Sequence, residues 1–142
     1  MPAAAAQLHV RRLNTAMRAL AVSLSLALCA AAHSTPVSPV VRVEIDTLLA
    51  RLQSSGCEFN RNGSWYSAAD AKVHLLRKLE YLERNASLST TEQFIKLAGT
   101  SSSSSGQAYQ VRCGTVATSS AAWLTKELAT VRANGQAASA PR

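Results

Sequence analysis

Cys57-Glu58-Phe59-Asn60-Arg61-Asn62-Gly63-Ser64-Trp65-Tyr66-Ser67-Ala68-Ala69-Asp70-Ala71-Lys72-Val73-His74-Leu75 is the stretch that decides the fold. Its first five residues alternate apolar and polar as a short strand does, and Asn62-Gly63 is a turn signal that closes it. Trp65-Tyr66 either continues the strand or crosses to the core. Ser67 with Asp70 three residues later forms a capping box, because each side chain can satisfy a backbone N–H that the first helical turn leaves free. The helix it opens runs to about Arg84, with Ala71, Leu75, Leu79 and Leu82 on one face.

On the N-terminal side, Val41, Ile45, Leu48, Leu49 and Leu52 recur at helical spacing, and Ser54-Ser55-Gly56 stops that helix. Thr35-Pro36-Val37-Ser38-Pro39 belongs to a linker, residues 33–39, that cannot be helical. On the C-terminal side, Ser89 with Glu92 repeats the capping device for a short helix carrying Phe94, Ile95 and Leu97 and ending at Gly99. Thr100 to Gly106 is a serine-rich loop. Tyr109-Gln110-Val111-Arg112-Cys113 alternates as a second strand. Ser119 or Ser120 caps a final helix through Trp123, Leu124, Leu128 and Val131. Asn134 to Arg142 is small and polar and reads as a disordered tail. The expected fold is therefore a small α+β single domain over 40–133. About four helices pack on a two-stranded antiparallel ribbon held by one disulfide.

The pairing follows from the strands. Cys57 opens the first and Cys113 closes the second, so antiparallel pairing brings their ends together. A redox-active pair would more usually be a Cys-x-x-Cys at a helix start. Such a bridge implies an oxidising compartment, and the N-terminus agrees. Arg11, Arg12 and Arg18 precede the apolar run Ala19 to Leu28, too short for a span of ~20 residues. Ala30-Ala31-Ala32 then offers small residues for cleavage before His33. Residues 1–32 read as a signal peptide, with Met17 as an alternative start. Cys29 follows Leu26-Ala27-Leu28, which resembles a lipobox except that Leu28 stands where a small residue belongs. The mature chain then carries no transmembrane segment and is periplasmic or secreted. Twelve Lys plus Arg against eight Asp plus Glu remain after residue 32, so the net charge falls from +7 to +4. These cations are scattered and carry no aromatic interleaving, which argues against nucleic acid.

Five blocks occur in a telling order: Phe59-Asn60-Arg61-Asn62-Gly63; Asp70-Ala71-Lys72-Val73-His74-Leu75 with Lys78; Phe94-Ile95; Ser102-Ser103-Ser104-Ser105-Gly106 with Tyr109; and Trp123-Leu124. The chain thereby resembles the YfeK-like family of exported bacterial proteins, a domain of unknown function, over about residues 40 to 132. Asp70 stands where that family would have Glu. The resemblance implies a bacterial envelope or secreted protein and implies no reaction.

At 100° per residue, Asp70, His74, Lys78 and Tyr81 fall along one flank of the helix, beside its apolar stripe. Asp70 and His74, at i and i+4, are spaced to hydrogen-bond. The family pattern places Arg61 and the serine loop, with Ser105 and Tyr109, beside them. Arg61, Asp70, His74, Lys78, Ser105 and Tyr109 are the candidate binding residues. No residue is assigned a catalytic role, and neither a metal nor a cofactor is expected. The favoured reading is a non-enzymatic binding or structural module of the cell envelope, with an envelope protein or small ligand as partner. The competing one is a small hydrolase or transferase with His74 as general base.

Overall fold

The computed structural model describes residues 37–139. The segment read as a signal peptide, the alternative start at Met17, Cys29 and most of the expected linker lie outside them.

Helix α1 spans Pro39–Ser54. The last linker residues start it: the Ser38 hydroxyl accepts a 3.3 Å bond from the Val41 N–H, and Pro39 takes the first helical position, where a missing N–H costs nothing. The expectation of a non-helical Pro39 is thus corrected. Strands β1 (Glu58–Arg61) and β2 (Ser64–Ser67) follow, then helix α2 (Ala68–Asn85). A short helix α3 (Thr91–Phe94) runs directly into a single π turn, Ile95–Gly99. Strands β3 (Gln110–Cys113) and β4 (Val116–Ser119) lead into helix α4 (Ser120–Ser139).

The class is α+β as expected, but the two-stranded ribbon is a four-stranded antiparallel sheet in the order β2-β1-β3-β4. The difference lies in two hairpins. Asn62 and Gly63 both take positive φ, 53° and 84°, the backbone of a two-residue hairpin turn. Trp65-Tyr66 therefore folds back as β2, pairing Phe59 with Tyr66 and Asn60 with Trp65. After Cys113, Gly114 at φ 78° makes the second turn, and β4 pairs with β3. All four β4 residues are exposed, so the alternation that marks a strand in sequence is missing there.

Cross-strand partners Phe59 and Val111 turn into the helical core. There they meet Leu48, Leu49 and Leu52 of α1, Leu75 and Leu79 of α2, Phe94, and Leu124 of α4. Trp123 packs edge-on to Phe59 with ring centroids 5.6 Å apart. The π turn brings Gly99 against α4 so closely that a Cβ there would sit 2.5 Å from Leu124 Cδ1. Cys57 and Cys113 form the expected disulfide, their Cα atoms 4.4 Å apart.

Two further boundaries shift. Thr90, not Ser89, caps α3: its hydroxyl accepts from the Gln93 N–H, and the Gln93 side chain accepts from the Ser89 N–H. Helix α4 continues to Ser139, into the segment read as a disordered tail, because Gln136-Ala137-Ala138 sustain a helix once one is nucleated. Arg132, near the end of the core-packed part, binds Glu44 of α1 at 2.7 Å and Glu92 of α3 at 2.6 Å. Glu44 in turn accepts from the buried Thr91 hydroxyl. Among the described residues no helix is long and apolar enough to cross a membrane.

Candidate functional site

The hairpin β1–β2 and the N-terminal half of α2, with Tyr109 and Ser120, line an open cavity of about 350 Å³. Ser67 ends β2 and caps α2 at once. Its hydroxyl accepts from the Asp70 N–H at 3.1 Å and donates to Asp70 Oδ2 at 2.6 Å. That local bond takes the carboxylate which the i, i+4 spacing had offered to His74. Asp70 remains on the cavity wall, but it is not the partner of His74.

His74 is held from two other directions. Arg61, last residue of β1, places Nη1 2.7 Å from His74 Nδ1. A guanidinium can only donate, so Nδ1 accepts and the ring proton sits on Nε2. Nε2 then donates to the Tyr109 hydroxyl at 3.1 Å, and the two rings meet edge to face at 5.9 Å. Burial, with the Arg61, Lys78 and Arg77 charges after it, drops the His74 pKa to about 4. The ring is neutral at physiological pH, and neither nitrogen has a lone pair free for a substrate proton.

Tyr109 is 7% exposed, and burial pushes its phenol up. Lys78 donates from Nζ to the Ser101 carbonyl at 3.0 Å and lies 5.1 Å from the centre of the Tyr109 ring. Burial lowers the Lys78 pKa. Arg61 also lies 4.8 Å over the Tyr66 ring. Arg61, His74, Tyr109 and Lys78 therefore form one connected cluster, three of them on the cavity wall. Ser105 stands apart. Its hydroxyl donates to Asn62 Oδ1 at 2.7 Å and ties the serine loop to the β1–β2 turn. The loop is itself folded around Ser102, whose N–H reaches the Gln107 carbonyl and whose carbonyl accepts from Gly106, at 2.9 and 2.8 Å.

Beyond the candidates Arg61, Asp70, His74 and Tyr109, the wall includes Tyr66, Val73 and Arg77. Tyr66 was findable, because an Asn-Gly hairpin places it opposite Phe59. Arg77, one turn after His74, was findable from helical spacing. Val73 was not, since an exposed valine on a helix carries no signal of a cavity beside it.

Replacing His74 tests the cluster. His74→Ala leaves the Arg61 and Tyr109 groups short of a partner and is expected to destabilise the domain by about 1–3 kcal/mol. His74→Asn, which can still accept from Arg61, should recover part of that loss. The folded pKa lies below the ordinary 6.5, so the unfolded chain takes up the proton first. This contribution to stability is complete above pH ~6.5 and fades as the pH falls toward ~4. Thermal scans of wild type and His74→Asn across that window should converge on acidification. A constant difference in melting temperature from pH 7 to 4 would refute the assignment.

Nothing among curated proteins or solved structures matches the chain. Residues 39–132 fit the model of a family of unknown function, DUF5329. That span runs from the first residue of α1 to the arginine that joins Glu44 and Glu92, and the chain belongs to this family.

Proposed function

We propose that the protein is a YfeK-like exported protein, periplasmic or secreted, that serves the cell envelope as a non-enzymatic binding module. Its ligand or partner segment seats in the cavity between the β1–β2 hairpin and α2. The observation that carries this reading is the state of His74: both ring nitrogens are engaged by Arg61 and Tyr109. The one histidine among the described residues thus builds a cavity wall instead of presenting a base. Export is supported by the short apolar run before Ala30-Ala31-Ala32 and by a bridge that needs an oxidising compartment.

The test is heteronuclear NMR on ¹⁵N-labelled protein mixed with fractionated bacterial envelope extract. A binding module gives saturable shifts in the amides of Arg61, Tyr66 and His74, and the extract's small molecules leave unchanged. Loss of an extract component with time, abolished by His74→Asn, would instead establish the hydrolase or transferase. Shifts confined to residues away from the cavity would remove the site.

A further inference from the structure

Among the described residues Arg61, Arg77 and Arg84 have no ion pair, and of these three Arg61 is the one held between a histidine and an aromatic ring. Arg42, Arg51, Arg112 and Arg132 each pair with a carboxylate, at 2.6–3.1 Å. Arg61 faces the cavity with a neutral histidine on one N–H and an aromatic ring under its plane, and among the described residues no carboxylate lies within ion-pair distance. An arginine charge set in a cavity wall is ordinarily matched by an anion. Here His74 and Tyr66 orient the guanidinium without neutralising it, which leaves its other N–H groups for a ligand.

From this we infer that the cavity takes a small organic monoanion, a carboxylate on an apolar body, with the carboxylate held by Arg61. The inference rests on the binding reading above and adds the chemical class. Charge balance sets the single negative charge. Arg61 and Arg77 line the cavity against one carboxylate, Asp70, already bonded to Ser67. The apolar body follows from the remaining wall, where Phe59, Tyr66, Ala71 and Leu75 contribute carbon surface. Val73 stays 46% exposed on the same wall, a position where a ligand's carbon skeleton gains by covering it. The volume, about 350 Å³, is at the low end of the ~300–1,000 Å³ usual for ligand sites. A planar guanidinium stacked on an aromatic ring presents a two-pronged edge that fits a carboxylate better than a lysine does.

Two sources supply this chemistry: a free organic acid and the C-terminal carboxylate of a peptide. The experiment titrates the purified, labelled protein with hexanoate for the first and N-acetyl-phenylalanine for the second. Hexylamine and N-acetyl-phenylalanine amide serve as the charge-changed controls. A saturable shift at the amides of Arg61, Tyr66 and Val73 is expected with at least one carboxylate and with neither control. Arg61→Lys, checked for fold by its spectrum, should weaken that carboxylate about tenfold or more. Val73→Glu, an exposed change that leaves Arg61 intact, should weaken it as well by placing a second negative charge on the wall. Absence of a saturable shift with both carboxylates, stronger binding of a control, or undiminished affinity in Arg61→Lys overturns the monoanion assignment. The envelope extract then decides separately whether the binding reading survives: cavity shifts with extract and none with carboxylates would sink the ligand class alone.

Discussion

Removing the Cys57–Cys113 bridge is expected to lower the melting temperature by on the order of 20 °C. The two cysteines are 56 residues apart in sequence, and closing a loop of that length restricts the unfolded chain by about 4 kcal/mol in the entropic account. A small domain has ~5–15 kcal/mol in total, and each kcal/mol moves the midpoint by about 4–8 °C at this size. The bridge also sits where the sheet is thinnest. Strands β1 and β3 hold the two hairpins together through only three registered residue pairs, Glu58–Arg112, Phe59–Val111 and Asn60–Gln110, and the disulfide lies next in that ladder. A Cys57→Ser, Cys113→Ser double variant and the reduced wild-type protein should therefore behave alike. Thermal scans with and without reductant, with non-reducing peptide mapping to recover the linked pair, check this. A reduced protein melting within a few degrees of the oxidised one would show that helix packing alone holds the sheet.

The helices were legible in the sequence and half of the sheet was not, for a physical reason that differs between the hairpins. Ile45, Leu48, Leu49 and Leu52 are all buried, as are Leu75, Leu79 and Leu82, because a helix with one buried stripe must repeat its apolar residues at 3.6. In the first hairpin the Asn62-Gly63 turn was recognised, but Ser64-Trp65-Tyr66-Ser67 is too short to show period 2 by itself. In the second, Val116-Ala117-Thr118-Ser119 buries nothing, so no hydrophobic pattern exists to read. The site divides in the same way. The flank of α2 carrying Asp70, His74 and Lys78 followed from helical spacing, whereas the bonds from His74 to Arg61 and Tyr109 span 13 and 35 residues and depend on how strand and helix pack. Asp70 was assigned the wrong partner because a helix-capping contact three residues away is already in place before tertiary contacts form. Arg132 shows the opposite case. Its ties to Glu44 and Glu92 cross 88 and 40 residues, and a charge on an exposed helix face gives no hint of them.

Phe94→Ala is expected to destabilise the protein by about 3–5 kcal/mol. Phe94 is 0% exposed and is the largest of the fully buried side chains. It ends α3 where the chain tightens into the π turn, in one core with Leu48, Leu79 and Leu124. The loss falls at the upper part of the usual range when the surroundings cannot collapse into the space left behind, and here they are pinned. The π turn is fixed by the Thr100 hydroxyl on the Ile95 carbonyl at 3.0 Å and packs against α4 at a glycine with no spare room. Thr91, one turn earlier, is buried and donates to Glu44, which Arg132 clamps from α4. Urea unfolding should show a lowered midpoint with an unchanged slope, the signature of lost stability in an intact native state. The site is separate from the disulfide, so the two effects should add. Their sum, about 7–9 kcal/mol, reaches into the ~5–15 kcal/mol available. Reduced Phe94→Ala should accordingly lie about 7–9 kcal/mol below the oxidised wild type in urea unfolding. A Phe94→Ala loss well below about 3 kcal/mol in either redox state would mean that the helical layer around Phe94 is looser than its burial implies.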